Sequence, residues 1–170
     1  IMSAIKGRDA IYVWTDTALF LMQFVGQPFT FAFQQAGTNC GLIGKNAAVE
    51  VDGSAYWMSE NGFFNYDGQL KSMPCLVEDF VYDSLNSIPR DLFNAGVNNL
   101  FGEINWFYCS ENSNVVDRVV TYNYLDSSRE RPIWTVGSLD RTAWEDSAVY
   151  DKPHATYFDA TDNASFDVTG

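Results

Sequence analysis

The stretch "SAYWMSENGFFNYDG", residues 54–68, sets aromatic side chains around two tight-turn signals. Glycine adopts positive φ angles without steric cost, so Asn61-Gly62 and Asp67-Gly68 are typical of short turns. Large aromatic residues favour the pleated, half-buried surface of a β-sheet. Those in this stretch are Tyr56, Trp57, Phe63, Phe64 and Tyr66. The stretch therefore predicts two consecutive β-hairpins.

Similar alternation recurs on both sides of this stretch. "RDAIYVW" (8–14) and "ALFLMQF" (18–24) predict a hairpin, and "FTFAF" (29–33) predicts a further strand after a turn. Asp52-Gly53, after "AAVEV" (47–51), is the strongest short hairpin signal in the chain. Strand patterns return in "DLFNAGV", "GEINWFYCS", "DRVVTYNYL" and "RPIWTVG", all within 91–137. The expected units of about four strands are 8–35, 46–73 and 91–137, with the start of another at 140–170.

These units predict an all-β fold of four-stranded antiparallel meanders that resemble propeller blades, since a blade repeats about every 40 to 50 residues. An ordinary β-sandwich or barrel with similar turn spacing stays open. One short helix is expected near 76–86, because Pro74 and early acids suit a helix start. We expect residues 1–170 to be a single β-rich domain and a fragment of a larger protein, since both ends are strand-like.

Charge limits the classes of partner. The chain has 10 basic and 22 acidic residues, a net charge of −12. Tight binding of nucleic acid needs clustered Lys and Arg, and this balance argues against it. The longest apolar run is "ALFLM" (18–22), too short to span a bilayer.

Cysteine and histidine are few and widely spaced. Cys40, Cys75 and Cys109 form no C-x-x-C pair, and His154 is the sole histidine. We therefore expect free thiols, no metal site and no cofactor. "GLIGKN" (41–46) lacks the spacing of a phosphate loop, so Gly41 and Gly44 are interpreted as turn glycines.

Carboxylates deserve a separate test, because glycosidases use two of them. The candidates are Asp16, Glu50, Asp52, Glu103, Asp140, Glu145 and Asp146. Their spacing follows no EF-hand or Asp-x-Asp pattern, which favours solvated loop acids, and we expect no catalytic residue. Trp57 and Trp106 have two interpretations: core residues of the sheets, or platforms on which a carbohydrate-binding module or glycosidase stacks a sugar.

Several segments together resemble one family. "VWTDTALF" (13–20), "FAFQQAGTNCGLIG" (31–44) and "YWMSENGFFNYDG" (56–68) are similar, in order and spacing, to virion proteins of tailed bacteriophages, in the tail tube or tail nozzle group of short-tailed phages. "GEINWFYCS", "YNYLD" and "GSLDRTAW" continue the similarity through residue 144. Cys109 departs from it, since a proline is expected there.

The resemblance implies a structural protein without catalytic activity, located in the virion after assembly in the host cytoplasm. It implies a homo-oligomeric ring, of six copies, around the DNA ejection channel, with tail adaptor and fibre proteins as neighbours. Double-stranded DNA would pass through without being held, which the net charge fits. Whether Arg118, Arg129, Arg131 and Arg141 line such a channel stays open.

Overall fold

The computed structural model describes residues 1–145, 153–157 and 165–168. It is an all-β fold of four antiparallel sheets, and the described residues include one short α-helix. Three sheets have four strands each and the fourth has three, and in every sheet neighbouring strands are consecutive in the chain. The chain divides into two compact units, Ile1–Met73 and Pro74–Gly170.

The strands of the first unit are β1 (Ser3–Lys6), β2 (Ile11–Trp14), β3 (Ala18–Phe24), β4 (Phe31–Thr38), β5 (Ala48–Val51), β6 (Ser54–Ser59), β7 (Gly62–Tyr66) and β8 (Leu70–Met73). Those of the second are β9 (Asn94–Asn98), β10 (Glu103–Tyr108), β11 (Arg118–Asn123), β12 (Trp134–Gly137), β13 (Ala143–Glu145), β14 (His154–Tyr157) and β15 (Ser165–Val168). The second unit also contains α1 (Glu78–Asp83) and a 3-10 turn, Arg90–Leu92.

Local turn chemistry sets the hairpins of the first unit. Asp52 and Gly53 have φ angles of 51° and 85°, the double positive φ of a turn that matches strand twist. The hairpin predicted at Asp52-Gly53 is present, with Val51 opposite Ser54. The hairpin predicted at Asn61-Gly62 is also present, but its two turn residues are Glu60 and Asn61, since Ser59 is opposite Gly62. The predicted strand at 29–33 begins later, at Phe31, and β4 continues to Thr38.

The core of the first unit lies where the aromatic faces of its two sheets meet. Trp14 and Trp57 pack edge to face with ring centroids 5.4 Å apart, and both are fully buried. Tyr12 and Tyr66 make a second edge-to-face pair at 5.4 Å. Such pairs favour aromatic rings at a sheet–sheet contact, since they add to the gain from burial.

The helix is shorter than the sequence predicts. It covers Glu78–Asp83, not 76–86. Beyond it the backbone joins the sheet region instead, because the N–H of Asn86 donates to the carbonyl oxygen of Cys109 (3.0 Å) and Leu85 bridges to Ser110. The strand expected from residue 91 begins at Asn94, since Arg90–Leu92 form the 3-10 turn.

Trp144 of β13 fixes part of the second unit's core. Its indole N–H donates to the carbonyl oxygen of Val97 (2.8 Å), and its ring lies 5.6 Å from that of Phe107. Gly96 of β9 lies directly beneath the Trp144 ring, where a Cβ atom would overlap the indole.

No helix in the described part of the chain is long and apolar enough to span a membrane.

Candidate functional site

The tryptophans considered as sugar platforms lie inside the protein. Trp57 is fully buried, and Trp106 exposes 1% of its surface. The Trp57 indole N–H donates to the carbonyl oxygen of Cys40 at 2.7 Å, and its ring stacks on Phe64. Neither ring has a free face for a sugar, so the core interpretation of both tryptophans is confirmed.

The candidate carboxylates are dispersed. Asp16 and Asp52 are exposed in separate turns, and the Glu50 carboxylate accepts a hydrogen bond from the Gly53 N–H within its own hairpin. Asp140 is paired with the adjacent Arg141 at 3.5 Å. Among the described residues, no group of three or more Cys, His, Asp or Glu side chains is arranged to hold a metal ion. Glu103 opens β10 and is half-buried, while Asp146 lies outside the described residues.

One pair of candidates does come together. Glu145 and His154 are opposite each other in the register of β13 and β14. His154 is half-buried and Glu145 is exposed. Opposite positions on antiparallel strands make ordinary cross-strand neighbours.

Gly41, the first glycine of "GLIGKN", has a structural role. A Cβ atom on Gly41 would overlap the backbone between Asp16 and Thr17. The following residue, Leu42, donates its N–H to the carbonyl oxygen of Thr15 (3.0 Å). Gly41 is therefore needed for the close approach of two backbones.

The cysteines are free thiols. Burial raises the pKa of the Cys75 thiol to about 12, and burial together with the Asp117 carboxylate raises the pKa of Cys109 to about 11. Burial also raises the pKa of Cys40. Because the thiolate is the reactive form, all three lack the low pKa of a nucleophilic cysteine.

A cleft of about 200 Å³ opens beside β2 and the turn after β7. Its wall combines Arg8 and Asp9 with the rings of Tyr12 and Tyr66. Arg8 donates to the carbonyl oxygen of Asp52 at 2.8 Å, and the Tyr12 hydroxyl donates to that of Gly53 at 3.2 Å. These hydrogen bonds join the two sheets of the first unit, so Arg8 and Tyr12 stabilise the packing of the sheets.

The most unusual surface is the hairpin of β3 and β4, which we call the phenylalanine hairpin (residues 18–38). Four phenylalanines and a valine are more than half exposed there: Phe24 (72%), Val25 (53%), Phe29 (74%), Phe31 (52%) and Phe33 (61%). Sequence reasoning placed strands here but missed the surface. The sequence feature that could have revealed this surface is its lack of charge, because residues 17–44 contain no Asp, Glu, Lys or Arg.

The arginines considered for a channel lining differ in exposure. Arg129 and Arg131 are exposed, and Arg118 is half-buried with its guanidinium donating to the Ser138 hydroxyl at 2.9 Å. Arg141 exposes only 7% of its surface. A side chain so enclosed does not line a channel within this subunit, so Arg141 belongs to the core.

No family model matches the chain, and a search of curated proteins finds no match. The class that the fold and its surfaces define is an all-β protein of four antiparallel sheets with an apolar, uncharged hairpin on its surface.

Proposed function

We propose that this protein is a structural component of a bacteriophage tail, of the nozzle or tail tube, and that its copies form a ring around the DNA ejection channel. The observation that carries the proposal is the arrangement of the segments that resemble phage tail proteins. These segments are distant in sequence, and within each of the two units they meet in the core of that unit.

Backbone hydrogen bonds join the three segments of the first unit. Leu42 of "GLIG" donates its N–H to the carbonyl oxygen of Thr15 in "VWTD" (3.0 Å). The neighbouring Ile43 donates to the carbonyl oxygen of Met58 in "YWMS" (3.1 Å). Each segment thus satisfies polar groups of another, so their order and spacing act together as the signature of one fold.

The later segments behave in the same way in the second unit. "GEINWFYCS" supplies Trp106, Phe107 and Tyr108, which are all buried. "GSLDRTAW" supplies Trp144, which packs on Phe107, and Arg141, whose carbonyl oxygen accepts a hydrogen bond from the Asn94 side chain (3.1 Å). These later segments therefore supply core residues of the second unit, as expected for a shared scaffold, whereas Phe31 and Phe33 of the earlier segment "FAFQQ" are exposed.

Charge supports a channel wall that does not grip DNA. Duplex DNA carries a phosphate charge about every 1.7 Å along its axis, and it is held by clustered Lys and Arg. This chain has a net charge of −12. Of the four arginines considered for the channel, Arg141 is buried and Arg118 is bonded to Ser138, while Arg129 and Arg131 are exposed.

Two measurements test the proposal. Genes for a portal, an adaptor and fibres are expected beside the gene for this protein. Peptides of this chain are expected in the mass-spectrometric protein inventory of purified virions, in a copy number equal to that of other ring components. Neighbouring genes for carbohydrate uptake, or purified virions without its peptides, would reject the proposal.

The carbohydrate-binding alternative loses its two platforms, because Trp57 and Trp106 are buried. A glycan array separates the two classes directly. The tail protein is expected to give no signal above that of a Trp57→Phe variant, since that ring lies in the core.

A further inference from the structure

We propose that the phenylalanine hairpin is the surface through which one copy of this chain contacts a second copy. The inference deepens the proposed function, and rests on it, by locating a contact on which a ring of copies would depend. Four observations carry it: the face on which the phenylalanines lie, the free edge of β4, the exposed apolar area, and the lack of charge.

The strand register places Phe24, Phe31 and Phe33 on one face of the sheet. Phe24 is opposite Phe31, and Met22 is opposite Phe33, so these four side chains share a face. The Phe24 and Phe31 rings are 6.0 Å apart in an edge-to-face pair.

The other face of the same sheet is the core face. It contains Tyr12 and Trp14 of β2 with Leu19 and Leu21 of β3, and all four are buried. Side chains alternate between the two faces of a strand, so β3 has apolar residues on both sides. A strand with two apolar faces is typical of a sheet that is covered on both sides.

The edge of the sheet is also open to a partner. β4 is the last strand of its sheet, and within the described residues it pairs only with β3. Edge strands are normally protected by charged residues, prolines or bulges that face the free side. Residues 31–38 carry neither a charge nor a proline, and the register shift at Ala36 leaves residues 31–35 in regular pairing with β3. The backbone of residues 31–35 is thus suited to accept a further strand.

The exposed apolar area is a large part of what a stable interface buries. Aromatic side chains have about 150–250 Å² of surface each, so four phenylalanines exposed by half to three quarters present on the order of 500 Å². Val25 and the edge backbone add to this. A stable interface buries about 800 Å² on each partner, so the phenylalanines alone supply more than half of that area. The largest apolar patch on an ordinary monomer, about 300–600 Å², is often functional.

The lack of charge in the hairpin favours a second copy of the chain as its binding partner. Each copy carries a net charge of −12, and residues 17–44 bring no charge into the contact, so two copies can meet there without opposing carboxylates. Depletion of charged residues is the mark of an interface core, and obligate homo-oligomers have the most apolar interfaces. Most soluble oligomers are built from identical copies.

A lipid surface fits the hairpin less well. Segments that rest on membranes combine apolar residues with Lys or Arg on their polar side, and Trp or Tyr at the headgroup level. Residues 17–44 contain none of these four residue types. The net charge of −12 also opposes approach to an anionic leaflet.

The test compares two double variants of the full chain by sedimentation velocity over a range of concentrations. Phe31→Glu with Phe33→Glu charges the hairpin. Phe80→Glu with Phe101→Glu charges two phenylalanines of matched exposure (55% and 59%) in the second unit. The wild type and the second variant are expected to associate alike, and the hairpin variant about 100-fold more weakly, since charges are placed in an apolar contact.

A third variant, Phe29→Glu, controls for folding, because Phe29 precedes β4 and is 74% exposed. It is expected to weaken association while the far-ultraviolet circular dichroism spectrum stays unchanged. Equal association of the hairpin variants and the wild type would overturn the inference. So would a wild type that stays monomeric throughout, or one that binds phosphatidylcholine vesicles through the hairpin as a monomer.

The test of the hairpin contact and the test of the proposed function can fail independently of each other. Virions that contain the protein, together with copies that associate through another surface, would overturn only the inference. Copies that associate through the hairpin, together with virions that lack the protein, would overturn only the proposed function.

Discussion

The indole N–H of Trp57 donates a hydrogen bond of 2.7 Å to the carbonyl oxygen of Cys40, and both residues are fully buried. The bond ties strand β6 to the connection that follows β4. A buried carbonyl without a hydrogen-bond donor lowers the stability of the fold. We therefore expect Trp57, through this bond and its ring contacts, to contribute strongly to the stability of the first unit.

Replacing Trp57 by Ala should lower the free energy of unfolding by about 3–5 kcal/mol, because a cavity is left where a large ring packs on Trp14 and Phe64. Trp57→Phe should cost about 1–3 kcal/mol, since it leaves the Cys40 carbonyl without its donor. Urea unfolding followed by circular dichroism measures both. The control is Trp134→Phe, whose lost bond to Pro74 is solvent-exposed and should cost less. Equal losses at Trp57 and Trp134 would contradict the expectation.

Gly41→Ala should destabilise the protein by about 1–3 kcal/mol, because the added methyl group would overlap the backbone at Asp16 and Thr17. The matched control is Gly137→Ala, where a Cβ atom has only Val119 at the ordinary contact distance of 3.5 Å. That variant should be nearly neutral. Thermal unfolding of the two variants compares them, and a Gly41→Ala protein as stable as the wild type would show that the segment can move aside.

Stability should fall as the pH rises above about 9, in a manner that depends on Cys109. Burial and the Asp117 carboxylate raise the pKa of this thiol from 9.0 to about 11. Between these values the unfolded chain loses the proton and the folded chain keeps it, so the free energy of unfolding declines with pH, by up to about 1.4 kcal/mol per pH unit for this group.

Urea unfolding at pH 8, 9 and 10 measures this slope. Cys109→Ala should reduce it, whatever its effect on stability at pH 8, because only the titrating group is removed. A slope identical in Cys109→Ala and the wild type would refute the assignment to this thiol.

Duplex DNA should bind negligibly at physiological salt. The net charge of −12 repels phosphate, and screening over about 8 Å confines that repulsion to close approach. Fluorescence anisotropy with a labelled duplex tests this expectation. Submicromolar binding that weakens steeply with added salt would reveal a basic surface. It would contradict the proposal that the protein forms a channel wall which lets DNA pass without binding it.

The strand order of the first unit could be predicted because its turns are local. Asp52-Gly53 needs positive φ at both positions, and the chain itself supplies residues that tolerate it, so the β5–β6 hairpin forms wherever the sheet is placed. The sequence missed β1, since "SAIK" carries little pattern of its own and is a strand through its pairing with β2.

The helix shows the limit of periodicity. Leu76 and Phe80 are spaced as one helical face with Val81, yet only Val81 is buried, and the first two are exposed. The segment after Asp83 pairs with Ser110 and Cys109 instead of extending the helix. A contact across some 25 residues is invisible to local spacing.

The sequence by itself determined the class of fold, the hairpin turns and the net charge, because each depends on residues next to one another or on composition alone. Tertiary structure decided which of two apolar faces became the core. Leu21 and Phe24 lie on the same strand and are both apolar, but Leu21 is buried with Tyr12 and Trp14, whereas Phe24 faces outward. Burial depends on which sheet packs against which face, and that choice is made by residues distant in the chain.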